Sequence, residues 1–159
     1  MILARLKLVA AALVFAGWLT WLGIAVARKG TVQPVSRAQL AAATYLVVAD
    51  VKAGDDGQPL PTVAVREVLQ APAGDRPGGE IEVEKLRSAV TPLPVAGESR
   101  TPPPGEYLIP LVRTERGTYR VAGLPASPGY PAVSPERPRV YPWTADVRAQ
   151  LRAMGLPTE

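Results

Sequence analysis

Acidic and hydroxyl side chains are the residues of this chain that could do chemistry. Glu80, Glu82 and Glu84 alternate with Ile81 and Val83, and alternate side chains on one face of a strand lie about 7 Å apart. Carboxylates paired in this way can serve as acid and base, or can bind calcium. The same alternation is typical of a strand with one solvated, charged face that discourages edge-to-edge aggregation, and we favour that interpretation.

Two other candidates, a calcium loop at residues 55–57 and a Ser88–Lys85 nucleophile pair, lack the sequence pattern that such sites require. Asp55, Asp56 and Gly57 lack the spaced oxygen ligands of a calcium loop, so they predict a turn. Ser88 follows Lys85 without the flanking signature of a Ser–Lys nucleophile. We therefore predict no catalytic residue and no metal site.

The chain contains no Cys and no His. Thiol nucleophiles, disulfides, Cys/His zinc sites and Ser–His–Asp triads are thereby excluded. Eighteen Lys and Arg against 14 Asp and Glu give a net charge of +4, without the clustered positive charge typical of nucleic-acid binders. We expect a non-enzymatic protein with no cofactor, no nucleic-acid partner and no small-molecule substrate.

One C-terminal stretch gathers basic and aromatic residues. Three interpretations stay open: contact with anionic lipid headgroups, a protein interface anchored by Trp, Tyr and Arg, or a clamp that holds the last helix on its domain. The candidate partner-interface residues are Arg137, Arg139, Tyr141, Trp143, Arg148 and Arg152.

The elements that would position these residues begin with an uncharged run at residues 8–27. At about 1.5 Å per helical residue the run is about 30 Å long, the thickness of a bilayer's hydrocarbon core. It predicts a single transmembrane helix after a short cytoplasmic segment, residues 1–7. Basic residues at both ends and two Trp toward the far end suit the membrane interface. The predicted membrane-interface residues are Arg5, Lys7, Trp18, Trp21, Arg28 and Lys29.

A cleavable secretion signal is the alternative for this run. Ala25, Val26 and Ala27 fit a small-x-small cleavage site, which would leave a chain starting at Arg28. The run is longer than the apolar part of most signals, which favours an anchor. The absence of Cys and the many prolines of the remaining chain suit a domain outside the cytoplasm. We expect an inner-membrane anchor with the domain facing the periplasm or the outside.

Small residues recur about every four positions along the same run. Such a stripe lets two membrane helices approach closely, which predicts an integral membrane partner in addition to lipid. The candidate helix-packing residues are Ala12, Ala16, Thr20, Gly23 and Ala27.

The rest of the chain predicts a tether at residues 28–39 and a β domain at residues 40–123. Ser36 and Gln39 have capping-box spacing, so a short helix should lead into the domain. Alternating or β-branched segments at 44–52, 62–69, 80–86, 106–112 and 118–122 predict five strands. The last two should form a hairpin through residues 114–117.

Two segments follow the β domain. Residues 124–143 are rich in Pro and predict an extended connection. Residues 144–155 predict an amphipathic helix capped by Thr144, with Val147, Leu151 and Met154 on its buried face. The expected fold class is mainly β: an OB-like antiparallel barrel with a C-terminal helix, or alternatively a small sandwich.

The order of these signals resembles uncharacterised bacterial exported or membrane-anchored proteins with a small OB-like, netrin-like domain. The matching pieces are residues 68–72 (Val-Leu-Gln-Ala-Pro), the Gly78–Gly79 pair, residues 81–86 and residues 104–108 (Pro-Gly-Glu-Tyr-Leu). The resemblance covers residues 39–123 and implies the fold, but it brings no catalytic residue.

Two functions stay open. The first is an accessory or scaffold subunit of a larger membrane complex, with the exported domain making protein contacts. The second is a periplasmic module that binds a glycan or an oligonucleotide on a curved barrel face. That module would need exposed aromatic residues for stacking, and Tyr107 and Tyr119 are its candidates.

Overall fold

The computed structural model describes residues 2–29, 35–92, 99–123 and 137–158. The chain divides into two compact units, Met1–Val32 and Gln33–Glu159. Among the described residues, the first unit holds one helix, and the second holds every strand. Residues 93–98 and 124–136, which include most of the predicted Pro-rich connection, lie outside the described residues.

The N-terminal helix, α1, runs over Ile2–Lys29. Its side chains are described for residues 10–24, and nearly all of them are exposed. Among the residues described in this way, no helix is long and apolar enough to cross a membrane. The transmembrane span at residues 8–27 therefore stays a prediction.

The described residues of the second unit form two helices and eight strands. In chain order they are α2 (Arg37–Ala42), β1 (Tyr45–Ala53), β2 (Pro59–Gln70), β3 (Glu80–Glu84), β4 (Thr91–Pro92), β5 (Ser99–Arg100), β6 (Gly105–Arg113), β7 (Tyr119–Val121), β8 (Tyr141–Pro142) and α3 (Ala145–Ala153). A short 3₁₀ turn, Leu86–Ser88, follows β3.

Five of these strands close into a barrel. The order is β1-β2-β3-β7-β6, and β6 pairs back onto β1. All neighbours are antiparallel except β3 and β7, which are parallel. The predictions of a mainly β fold, a small barrel and a C-terminal helix are confirmed, and the structure contains the barrel rather than the alternative sandwich. The short strands β4, β5 and β8 were not predicted, since two residues give no alternation pattern.

Strand β1 is buried on both faces, which explains its continuous apolar sequence. Val47 and Ala49 belong to the core inside the barrel, whereas Leu46 and Val48 belong to a second core outside it. The register between β1 and β2 shifts at three places. Such bulges bend a strand, and a barrel this small needs bent strands.

The outer core lies between the barrel and its two helices. Leu46 and Val48 of β1 and Leu108 of β6 pack there with Leu40 of α2 and with Leu151 of α3. The seam between β1 and β6 is therefore the covered side of the barrel.

Local signals at the helix and hairpin ends behave as the sequence predicts. Ser36 Oγ accepts a hydrogen bond from the Gln39 backbone N–H at 3.3 Å, and Thr144 Oγ1 accepts one from the Val147 N–H at 3.3 Å. The β6–β7 hairpin closes through Thr114, whose N–H donates to the Thr118 carbonyl at 2.9 Å. Gly117 adopts φ +82° in this turn, a conformation that favours glycine.

Candidate functional site: the helical face of the domain

The acidic and hydroxyl groups weighed for chemistry make structural contacts. Ser88 Oγ donates to the backbone carbonyl of Lys85 at 2.8 Å, so its proton is directed to the backbone and not to an amine. Asp56 Oδ1 accepts from the Gln58 N–H at 3.0 Å inside the expected turn. Within the described ranges, no group of three acidic residues is placed to hold a metal ion.

The three glutamates of β3 differ in their surroundings. Glu80 and Glu82 are exposed, and Glu84 is half-buried. Glu84 Oε1 accepts a hydrogen bond from Thr118 Oγ1 at 2.6 Å, which ties the end of β3 to the β6–β7 hairpin. The outer face of β3 is thus a charged, solvated face, as the alternation indicates.

Helices α2 and α3 form a surface that we call the helical face. Leu151 and Val147 hold α3 on the outer core, and Leu40 does the same for α2. The charged residues of these two helices are Arg37, Asp146, Arg148 and Arg152. Three positive charges against one negative charge make the helical face basic.

An open groove of about 390 Å³ runs across the helical face. Leu40, Leu46, Met154 and Leu156 supply apolar lining, and Arg37 also lines it. Arg37 and Arg152 are exposed, and neither forms an ion pair with a described carboxylate. The groove therefore combines an apolar lining with free positive charge beside it.

A buried polar network fixes the helical face on the barrel. The side chain of Gln39 is fully buried, and its Nε2 donates to the carbonyls of Ala122 and Arg139, both at 2.8 Å. Its Oε1 accepts from the Tyr141 hydroxyl at 2.7 Å. The Ser36 N–H donates to the same hydroxyl at 3.2 Å. One amide thus joins α2 to both ends of the connection between β7 and β8.

Sequence reasoning missed the role of Gln39. In a capping box its side chain would reach back to the Ser36 N–H, but here that N–H donates to Tyr141. The only sequence signal of this buried role was a Gln in a short helix otherwise rich in Ala and Leu. Its partners Ala122, Arg139 and Tyr141 come from distant parts of the chain, so local patterns could not identify them.

The candidate partner-interface residues separate into buried and exposed groups. Tyr141 is fully buried, and burial raises the pKa of its hydroxyl. Trp143 packs against the outer core, and the Arg148 guanidinium lies 5.8 Å from the centre of its ring. These positions correspond to the clamp interpretation and leave Tyr141 no surface for a partner.

The arginines of this set are more accessible. Arg137 and Arg152 are exposed, and Arg139 and Arg148 are half-buried. The exposed basic surface of the C-terminal stretch is therefore made by its arginines, while its aromatic residues hold the structure together.

The aromatic residues considered for stacking lie mainly inside the barrel. Tyr107 is 3% exposed, and its hydroxyl donates to the Pro103 carbonyl at 2.8 Å. Tyr119 is half-buried, and its ring meets Tyr45 edge-on at 5.3 Å. Neither ring lies free on the outer surface as a stacking platform.

A second polar cluster lies where β1 begins and β6 ends. Asp75 Oδ2 accepts hydrogen bonds from the Tyr45 hydroxyl at 2.5 Å and from Arg113 Nη1 at 2.7 Å. The Tyr45 hydrogen bond, helped by the Arg113 charge, lowers the pKa of Asp75. The same hydrogen bond and burial raise the pKa of Tyr45. This cluster ties the β2–β3 connection to the barrel.

The candidate residues of α1 are only partly described. Ala12, Ala16, Thr20 and Gly23 are exposed, as are Trp18 and Trp21. Thr20 Oγ1 donates to the Ala16 carbonyl at 2.9 Å. The side chains of Arg5, Lys7, Ala27, Arg28 and Lys29 lie outside the described residues.

Comparisons with protein-family models, with curated proteins and with solved structures returned no match for this chain. The resemblance to exported OB-like proteins therefore stays a prediction.

Proposed function

We propose that the protein is a non-enzymatic accessory subunit, held in the bacterial inner membrane by α1 and carrying an OB-like domain outside the cytoplasm. The observation that carries this proposal is the exposure of the large apolar side chains of α1. Leu13, Val14 and Trp21 are 68%, 74% and 66% exposed. A helix that is apolar all round needs an apolar environment, and the uncharged run at residues 8–27 suits lipid.

The distribution of side-chain size around α1 supports a partner helix. At about 100° per residue, Ala12, Ala16, Thr20, Gly23 and Ala27 fall within an arc of about 80°. Trp18 and Trp21 lie on the opposite side of the helix. A smooth side can pack closely against another helix while a bulky side meets lipid.

The barrel supports an interaction role rather than a catalytic one. Ser88, Asp56 and Glu84 make structural hydrogen bonds, and Glu80 and Glu82 lie on an exposed strand face. The strand order, with four antiparallel neighbours and one parallel pair in a closed five-stranded sheet, supports an OB-like barrel. A rigid barrel on a membrane anchor is suited to holding a surface at a fixed place in a complex.

Gentle detergent purification of the tagged full-length chain, followed by mass spectrometry, tests the proposal. We expect an integral membrane partner to co-purify. Replacing Ala16 and Gly23 with Ile should abolish co-purification, because bulk on the smooth side separates the helices. The matched change Val14→Ile, on the bulky side, should have no effect. A monomer in every mild detergent would contradict the accessory role.

Topology and processing need separate measurements. Protease added to intact spheroplasts should digest the barrel domain if it faces outward. Mass spectrometry of the native N-terminus should find the helix retained. A domain protected in spheroplasts would reverse the orientation, and a chain starting at Arg28 would replace the anchor with a cleaved signal.

A further inference from the structure

We propose that the helical face rests on anionic phospholipid headgroups at the surface of the membrane. This proposal rests on the membrane anchoring proposed above, and it adds which side of the barrel faces the lipid. Three observations carry it: where the chain enters the domain, how charge is distributed around the barrel, and what lines the groove.

The chain enters the domain at the edge of the helical face. The Val35 N–H donates to Gln150 Oε1 of α3 at 2.9 Å, and α2 starts two residues later, at Arg37. Residues 30–34 join Val35 to the last residue of α1, Lys29. Six peptide steps reach at most about 20 Å. In an anchored chain, this edge of the domain is therefore the part that is tethered near lipid.

Helices α2 and α3 carry a net positive charge, and strand β3 carries a net negative charge. The helical face carries Arg37, Arg148 and Arg152 against Asp146. In a ring with the order β1-β2-β3-β7-β6, the strand opposite the covered β1–β6 seam is β3. The exposed Glu80 and Glu82 of β3 therefore point away from the helical face. An anionic bilayer attracts the arginines of the helical face and repels the exposed glutamates of β3.

The groove suits the boundary between headgroups and acyl chains. Leu40, Met154 and Leu156 make an apolar lining, and Arg37 also lines the groove. Arg37 forms no ion pair with a described carboxylate. Arginine binds phosphate through parallel N–H donors. A groove of this kind can hold the phosphate with Arg37 and shelter the glycerol backbone against its apolar lining.

A fluorescence experiment on the full-length chain in nanodiscs tests the proposal. The chain has no Cys, so a single Cys at Ala153, exposed beside the groove, takes a fluorophore without background labelling. A matched Cys at Glu82 labels the opposite face. The discs contain phosphatidylcholine with or without one quarter phosphatidylglycerol, together with a lipid that carries a nitroxide quencher on its headgroup.

We expect quenching of the Ala153 label to rise about twofold or more when phosphatidylglycerol is present, and quenching of the Glu82 label to stay unchanged. Arg37→Gln combined with Arg152→Gln should remove the increase, and so should high salt, because salt screens exposed charges. Arg66→Gln combined with Arg87→Gln removes the same charge elsewhere on the barrel and should leave the increase intact.

If the chain floats with the discs but the two labels are quenched equally, or quenching does not respond to phosphatidylglycerol, the proposal is overturned. Protection of the Ala153 label in native membranes but not in the discs would overturn it in favour of a protein on this face. Failure of the chain to float with the discs would overturn both the anchor and the lipid-facing surface.

Discussion

Large apolar side chains point outward in α1 and inward in the barrel domain. Leu13 and Val14 of α1 are 68% and 74% exposed, whereas Leu108 and Ile109 of β6 are completely buried. The exposed large apolar residues of the described chain all belong to α1. The barrel domain buries its large apolar side chains in its own cores, whereas the large apolar side chains of α1 are exposed.

Charges placed in α1 give the sharpest test of that difference. We expect Leu13→Asp combined with Leu19→Asp to release the protein from membranes, because each Asp near the centre of a span costs about 3 kcal/mol more than Leu. Fractionation of membranes after carbonate extraction measures the release. Lys52→Asp, at an exposed position of β1, is the control and should leave the protein in the membrane fraction. Retention of the double variant would mean that lipid does not surround α1.

Truncation of a buried barrel residue should lower the stability of the domain. Leu108→Ala leaves a cavity in the outer core and should lower the free energy of unfolding of the domain by about 2–5 kcal/mol. Urea unfolding followed by near-ultraviolet circular dichroism measures the loss. Leu13→Ala makes the same chemical change in α1 and should leave the domain's stability unchanged. Similar losses for both variants would end the distinction between the two regions.

Trp143→Ala tests whether Trp143 holds α3 on the barrel domain or forms a surface for a partner protein. Trp143 is half-buried against the outer core, so its removal should cost the domain about 2 kcal/mol. Arg137→Ala, at an exposed position, should cost nothing measurable. Unchanged stability of the Trp143 variant, together with loss of a co-purifying partner, would identify Trp143 as an interface residue instead.

Removal of one hydroxyl tests the buried polar network of the barrel domain. Tyr141→Phe leaves Gln39 Oε1 and the Ser36 N–H without their shared partner. Unpaired buried polar groups should lower the free energy of unfolding by about 1–2 kcal/mol. Tyr119→Phe is the control, because its ring contact with Tyr45 survives the change. Equal stability of the two variants would show that the network does not hold α2 on the barrel.

The smallest expected effect is a dependence of domain stability on pH. The pKa of Asp75 lies below its ordinary value of 3.8 in the folded chain, so its ionised form stabilises the fold above that value. The contribution should disappear as pH falls through the lowered folded pKa. The urea midpoint of the wild type should therefore drop more steeply below pH 3.8 than that of Asp75→Asn. Parallel curves would assign the acid sensitivity to other carboxylates.

The same cluster should also lose stability at alkaline pH, through Tyr45 instead of Asp75. Hydrogen bonding to Asp75 and burial hold the pKa of Tyr45 above 10.0 in the folded chain. Its protonated form therefore stabilises the fold below pH 10.0, and that contribution should be lost as pH rises through the raised folded pKa. Tyr45→Phe should weaken this alkaline loss.

Local patterns in the chain were enough to predict most of the elements. The five barrel strands, the caps at Ser36 and Thr144, and the apolar face of α3 all follow from interactions between residues a few positions apart. Residues that interact over such short distances leave their mark in propensity and periodicity. The exposed glutamates of β3 could be placed on a solvated face for the same reason.

The helical face could not be predicted in this way. Gln39 and Tyr141 are 102 positions apart, and a Tyr in a Pro-rich stretch looks like a surface residue until its partners are known. Tyr107 and Tyr119 also carry no local sign of whether they face into the barrel or out of it.

The positions of the five barrel strands and of the helices, and the uncharged run at residues 8–27, could be predicted from the amino-acid sequence because periodicity and propensity are local properties. Three other features became visible only in the folded domain: the barrel closes through β6 on β1, one Gln joins three distant segments, and basic helices lie opposite an acidic strand. These features depend on contacts between residues far apart in the chain, and such contacts form only when the whole domain folds.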